Sequence, residues 1–457
     1  MTENIIREDA DVYALDTGLI DAVLMAVDEG SQSALLLLFE NLHEADIADI
    51  LEQIGAEDRR RLIRLWGDHV DGEVLSELEE GVRDEVMAET PDEVLAEVVK
   101  DLDTDDVVYL VEDLDAPQQQ ALLGSLDDAD RVAVEQSLQY EEDTAGRLMQ
   151  REMVLAPNHW TVGNAIDFMR ASEDLPQDFY DVIVIDPAMH PVGSVPLSRI
   201  MGAAREVKLL ALASEDFRTI PVDQSQEDVA YAFNQYHMVS APVIEANGRL
   251  VGVITIDDAM EILEDHAEED MNLLAGLMDE DLSSRVWKTM RRRFPWLAVN
   301  LFTSVLASIV IAQFATTIEA IVALAVLMPI VASMGGNAGT QTLTVAVRAI
   351  ATRDLTPANA SRIVLREFLV GIANGIVFAL IIGVVGYVWY GSVMLGVVLG
   401  LAMVGNMLVA GMAGILIPIG LDKLGADPAL ASGVFVTTVT DIVGFFAFLG
   451  LASAMLL

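Results

Sequence analysis

The chain is 457 residues long and carries 72 Asp and Glu against 26 Lys and Arg, a formal charge of −46, yet 53% of its residues are hydrophobic. Those figures agree only if charge and hydrophobicity occupy different stretches. The absence of cysteine excludes disulfide frameworks, zinc ribbons, iron–sulfur clusters and thiol nucleophiles. The acidic excess repels phosphate backbones, so no nucleic-acid partner is expected.

From Phe294 to Leu457 six acids stand beside five bases, whereas the preceding 293 residues hold 66 acids and 21 bases. An acidic cytosolic part followed by a membrane part is expected. The opening MTENIIREDADVY has no basic n-region and no apolar core, so no signal peptide is expected.

From Ala10 to Tyr140, apolar residues recur at three- to four-residue spacing between acids, as in Ile47–Ile54, Val94–Val99 and Ala121–Leu126. The stretch DLDTDDVVYLVEDLDAPQQQALLGSLDDADR reads as helical hairpins with Asp and Ser caps and a proline break. A stacked helical domain over residues 1–145 is predicted. Between Met149 and Leu263 the pattern turns to short strands and helices with an internal repeat. VLAPNHWTVGNAIDFM with VIVIDPAMHPVGSV answers to TIPVDQSQEDVAYAF with PVIEANGRLVGVI, and Gly193 and Gly252 are equivalent positions 59 apart.

After the repeats, Asp258, Glu261 and Asp265 share one helical face at i, i+3 and i+7. A charge run is ordinarily a solvated face, but crowded carboxylates also suit a hard divalent cation. An amphipathic helix is expected to run from here to Arg293 and into the first span.

Five apolar stretches are long enough to cross a bilayer: Phe294–Phe314, Ile321–Val347, Phe368–Tyr390, Val393–Ile419 and Ala429–Leu456. Arg291, Arg292 and Arg293 precede the first, Arg348, Arg353, Arg362 and Arg366 lie between the second and third, and Lys423 between the fourth and fifth. The positive-inside rule then puts the N-terminus in the cytoplasm and the C-terminus outside, in the cell inner (plasma) membrane.

Asp441 falls in the middle of the fifth stretch, where a carboxylate costs about 2.5–3.5 kcal/mol. It faces a water path or a cation, or it is protonated in a structural hydrogen bond. Thr437 and Thr438 precede it by one turn and share its face. In the second stretch, Pro329, Gly335, Gly336 and Gly339 weaken a helix, which predicts either broken backbone lining a cavity or close packing through small residues. Asn337 and Gln341, at i and i+4, point the same way.

PIVASMGGNAGTQT with TVAVRAIAT, and DPALASGVFVTTVTD in the last span, resemble the MgtE family of bacterial magnesium channels. The helical domain and its junction YEEDTAGRLMQREMV resemble the same family, and the internal repeat resembles a tandem CBS pair. The resemblance implies a multidomain membrane protein: an acidic helical N domain (1–145), CBS repeats at 146–208 and 209–268, a connecting plug helix (269–293) and a five-helix transmembrane domain (294–457). It implies a homodimer in the lipid bilayer with an ion path on the two-fold axis. Asp441 would hold a hydrated Mg²⁺ there, beside Asn337, Gly335, Gly336, Gln341, Thr437, Thr438 and Pro329. It also implies regulatory Mg²⁺ at Glu227, Asp258, Glu261, Glu269, Asp270, Asp105 and Asp106. His237, His266 and Tyr109 stand where the family commonly has acids, which predicts fewer or weaker sensory sites. ATP is a candidate cofactor only at the second repeat, through Thr255 and Asp258, because the first repeat has Pro196 and Arg199 instead.

The expected function is Mg²⁺ uptake down the electrochemical gradient, closed by Mg²⁺ on the acidic domains. A non-conducting membrane-anchored metal or nucleotide sensor, and a divalent-cation carrier of broader specificity, are the alternatives. An enzyme is not expected: no lysine follows a glycine as a Walker A motif requires, and a lone deep Asp forms no dyad.

Overall fold

A computed structural model describes residues 15–277 and 286–457 apart from 101, 113, 115, 173, 174, 177, 178 and 215, and no side-chain placement is described at 288 or 430–432. The polar opening of the chain and residues 278–285 of the expected plug helix lie outside the described residues. Two compact units result, Met1–Glu264 and Asp265–Leu457.

In the first unit, short helices from Thr17–Glu29 to Asp128–Ser137 pack around a core that includes Leu35, Ile50, Leu62, Leu75 and Leu110. The acids that punctuate the sequence start many of these helices. Asp16 accepts from Gly18 N–H, and Asp71 from Glu73 N–H, satisfying amides that the helix leaves unpaired. Pro117 sits in the first turn of Ala116–Leu123, where its missing N–H costs nothing, so the expected break is a helix start.

The two repeats each form a three-stranded sheet. Strands β1 (Val154–Pro157), β2 (Asp181–Ile185) and β3 (Pro191–Pro196) lie in that order, as do β4 (Ile220–Pro221), β5 (Ser240–Ile244) and β6 (Leu250–Thr255). The first pair in each sheet is parallel and the second antiparallel. The repeat persists in register. Gly193 pairs with Val184 and Gly252 with Val243, and in each sheet the register then shifts by one, leaving Val192 or Val251 as the extra residue before Ile185 pairs with Pro191 or Ile244 with Leu250.

The connecting helix (Ile256–Ala275) ends earlier than the sequence predicts. Gly276 takes φ 74°, and Leu277 N–H bonds to Asn272 carbonyl at 2.8 Å, the closure of a glycine C-cap. Arg291–Arg293 therefore belong to the helix of the first span, not to one continuous rod.

Among the described residues of the second unit, five helices are long and apolar enough to cross a membrane: first span Val286–Ala312, second Ala323–Ala351, third Ala360–Tyr390, fourth Val393–Lys423 and fifth Pro428–Leu456. The fourth is the most enclosed, with Val398, Leu399, Ala402 and Met403 buried against the neighbouring helices. The second span is unbroken from Ala323 to Ala351 despite Pro329, Gly335, Gly336 and Gly339. Lipid offers no partner for freed backbone groups, which favours keeping the helical ladder. Two of these glycines serve close approach: a Cβ on Gly339 would lie 2.6 Å from Val436 Cγ1, and one on Gly335 would run into Asn406.

Candidate ion path and regulatory acids

Gly335 and Gly339 turn toward the fourth and fifth spans, and the opposite side of the second span is polar. Ser333, Asn337, Thr340, Gln341 and Thr344 are all exposed. At about 100° per residue, Asn337 lies about 160° around the axis from Gly339. Thr340 and Thr344 donate their hydroxyls to the carbonyls of Gly336 and Thr340, both at 3.0 Å, which leaves oxygen lone pairs facing outward. Gly336 opens onto space, since a Cβ there would meet nothing within 4 Å. Pro329 lies in this helix above the polar stripe, inside the unbroken ladder.

On the fifth span Asp441 is partly buried, and among the described residues no side chain or backbone group bonds to its carboxylate. Thr437 donates to Gly433 carbonyl at 3.0 Å, and Thr438 to Val434 carbonyl at 2.6 Å. Both hydroxyl protons are thus spent on the helix itself, so what these residues offer outward is oxygen. A carboxylate with hydroxyl oxygens on the preceding turn suits a cation or its water shell.

The acidic unit gathers a second set of carboxylates. Asp105 and Asp106 open the helix Thr104–Glu112, whose first turn is held by Glu152: it accepts from Thr104 N–H at 3.1 Å and Thr104 Oγ1 at 2.7 Å. Burial, then the charges of Glu73, Asp258 and Asp103, push Asp106 up to about 7. Burial, then Asp258 and Asp106, hold Asp105 well above the usual carboxylate range. Asp258 rises to about 6 through burial, although Thr255 Oγ1 and N–H donate to its Oδ2 at 2.8 and 3.2 Å. Three of the expected sensor acids therefore share one locality, joined by Glu73 and Asp103, which sequence reasoning missed. Among the described residues no three His, Asp or Glu converge closely enough to hold an ion; the acids are crowded, not preassembled.

The remaining sensor candidates are dispersed. Glu227 is exposed in the first turn of Gln226–Tyr236 and Glu261 is exposed on the connecting helix. Glu269 lies 3.6 Å from His266 Nδ1. Asp270 is raised by burial and then by Asp427, the N-cap of the fifth span. Asp427 was also missed; its signal is the Asp-Pro start of that helix. Near the end of the connecting helix, Leu273 packs with Leu343, Val347, Ala429 and Val436 of the second and fifth spans.

The departures from the family pattern have structural roles. Tyr109 stacks under the Arg83 guanidinium at 3.8 Å. His237 closes the helix Gln226–Tyr236 in a left-handed conformation, φ 52°. In the nucleotide pattern, Thr255 and Asp258 are engaged with each other, while Arg199 of the first repeat bonds to the carbonyls of Leu212 and Ala213.

Family models agree with this layout: one described as divalent cation transporter, MgtE, matches residues 328–451, the MgtE intracellular N domain matches 42–143, and the CBS domain matches 209–265. A magnesium transporter MgtE from Thermus thermophilus is 32% identical over 441 residues, covering 94% of this chain and 97% of that protein. One from Enterococcus faecalis is 34% identical over 320 residues, covering 70% of this chain and 71% of that protein. A crystal structure of the cytosolic domain of the Mg²⁺ channel MgtE in complex with ATP matches with TM-score 0.49 and 28% identity, over 53% of this chain and 99% of that one. With five apolar helices among its described residues, a CBS repeat and 32% identity over 97% of the Thermus thermophilus protein, the chain belongs to the MgtE family of divalent cation transporters.

Proposed function

We propose that this chain is a homodimeric Mg²⁺ channel that admits Mg²⁺ down its electrochemical gradient and closes when Mg²⁺ binds its acidic unit. The carrying observation is the exposed polar stripe on the second span, Asn337 and Gln341 above all, together with Asp441 on the adjoining fifth span. Lipid cannot satisfy such groups, so a water-filled path shared with a second copy is the environment that suits them. A helix that only anchored a sensor would have no use for either.

One deep carboxylate per copy is too few to strip an ion. That matches Mg²⁺, which sheds its waters reluctantly. A divalent ion entering a cell gains about 4.6 kcal/mol per 100 mV, so no fuel is needed. The arginines around the turn between the second and third spans support a cytoplasmic position for that turn and for the N-terminus.

Closure rests on the crowded acids. A cation bridging Asp105, Asp106 and Asp258 removes their mutual repulsion, and one between Asp270 and Asp427 does the same at the start of the fifth span. A single helix carries Asp258 at its start and Leu273 near its end, which links the two places. An adenine nucleotide bound at the second CBS repeat would compete with the Thr255–Asp258 bond.

The test is Mg²⁺ flux into liposomes holding the purified protein, wild type beside Asp441→Ala. The reading requires flux in the wild type and its loss in the variant. Equal flux in both would overturn it.

A further inference from the structure

Asn406 is a lone amide in the otherwise apolar middle of the fourth span, and it is fully buried. Its Nδ2 donates to the Val331 carbonyl of the second span at 2.8 Å. Its Oδ1 is buried and has no hydrogen-bond partner among the described residues. The amide fills a slot that two glycines leave open. A Cβ on Gly335 of the second span would run into it, and one on Gly444 of the fifth would lie 2.8 Å from Nδ2 and 3.2 Å from Oδ1.

Packing alone does not account for an amide here. A leucine of similar volume would fill the slot without leaving an acceptor unmet in a medium that penalises it. The amide does what leucine cannot: it ties one chosen carbonyl of the second span while pressing on the fifth. Gly444 follows Asp441 by three residues, about 4.5 Å along the axis and on a neighbouring face. A wedge at Gly444 therefore fixes both the rotation and the depth of the carboxylate.

We infer that Asn406 is a positioning residue for the ion path, its bond to Val331 and its contact with Gly444 setting how Asp441 meets the passing cation. This rests on the role given to Asp441 above. Asn406 touches neither the ion nor its waters. Its loss should weaken capture of the ion without blocking transit.

The experiment is Mg²⁺ flux against Mg²⁺ concentration for the full-length protein in liposomes, comparing wild type with Asn406→Leu, Gly444→Ala and Asp441→Asn. Asn406→Leu and Gly444→Ala should each raise KM about fivefold, the scale of one neutral hydrogen bond, with maximal flux nearly unchanged. Gly396→Ala, at the contact of the third and fourth spans where a Cβ would lie 2.5 Å from the Gly383 carbonyl, should lower the melting temperature and leave KM alone. That separates positioning from general packing. If Asn406→Leu does not fold, Gly444→Ala decides. KM at the wild-type value in the folded variants, with Asp441→Asn silent, would overturn the positioning role and spare the ion path. Wild-type flux in Asp441→Asn would remove both.

Discussion

Burial, and then the charge of Asp258 at the start of the connecting helix, raise the pKa of Asp105 on the helix Thr104–Glu112. Two acids distant in sequence are thus brought together where burial already disfavours their charged forms. Such an arrangement is costly without a counter-ion and becomes favourable with one.

The first consequence is a pH dependence with a defined sign. Unfolded, these carboxyls titrate near the usual value of about 3.9; folded, Asp258 titrates at about 6 and Asp106 at about 7. The folded state holds these protons more tightly, so their contribution to stability is full below about pH 4 and is lost as pH rises through 6 and 7. Without Mg²⁺, the acidic unit should melt several degrees lower at pH 8 than at pH 5. Saturating Mg²⁺ should remove most of that difference, as calorimetry of the full-length protein would show.

Replacing Asp105, Asp106 and Asp258 with Asn should raise the Mg²⁺-free melting temperature of this unit at pH 8 and flatten its pH dependence. The same variant should lose most of its stabilisation by Mg²⁺. Unchanged Mg²⁺ stabilisation would place the regulatory ion elsewhere.

Asp270 and Asp427 offer a separate check nearer the membrane. Asp427 accepts from Ala429 N–H at 2.6 Å as the fifth-span cap, so Asp427→Asn keeps a capping oxygen while removing the charge. The variant should conduct at Mg²⁺ concentrations that close the wild type. Closure at the wild-type concentration would exclude this pair from gating.

Helix approach in the second unit is tight enough to test by volume. A Cβ on Gly414 would lie 2.6 Å from the Gly339 carbonyl and 2.8 Å from Thr342 Cβ. Gly414→Leu should destabilise the unit by about 1–3 kcal/mol or more, seen as a lower melting temperature in detergent. Gly405→Leu, where a Cβ would meet nothing within 4 Å, should change it little.

Most of the architecture was legible because it is written in periods: short acidic helices, a doubled strand–helix pattern, five apolar runs. Asp441 stood out as a charge in an apolar stretch, and Asn337 with Gln341 as amides on one helical face. The unbroken second span was not legible, because the same glycines serve a kink or a close approach and only the neighbouring side chains, Asn406 and Val436, decide between them. Gly276 ends the connecting helix before Arg293, a stop that a single glycine signals only weakly. Glu73, Asp103 and Asp427 escaped notice because their importance comes from tertiary neighbours, not from spacing. The stripe of Ser333, Thr340 and Thr344 around the two amides emerges only once exposure on the helix is known.

The central claim is that conduction and Mg²⁺ sensing are one device, and flux at stepped Mg²⁺ on the side of the acidic unit tests it most directly. Wild-type protein in liposomes should conduct at low Mg²⁺ and shut as Mg²⁺ rises, while Asp105→Asn/Asp106→Asn/Asp258→Asn stays open across the same range. Flux in the wild type that is indifferent to Mg²⁺, or closure of the neutralised variant at the wild-type concentration, would contradict the account.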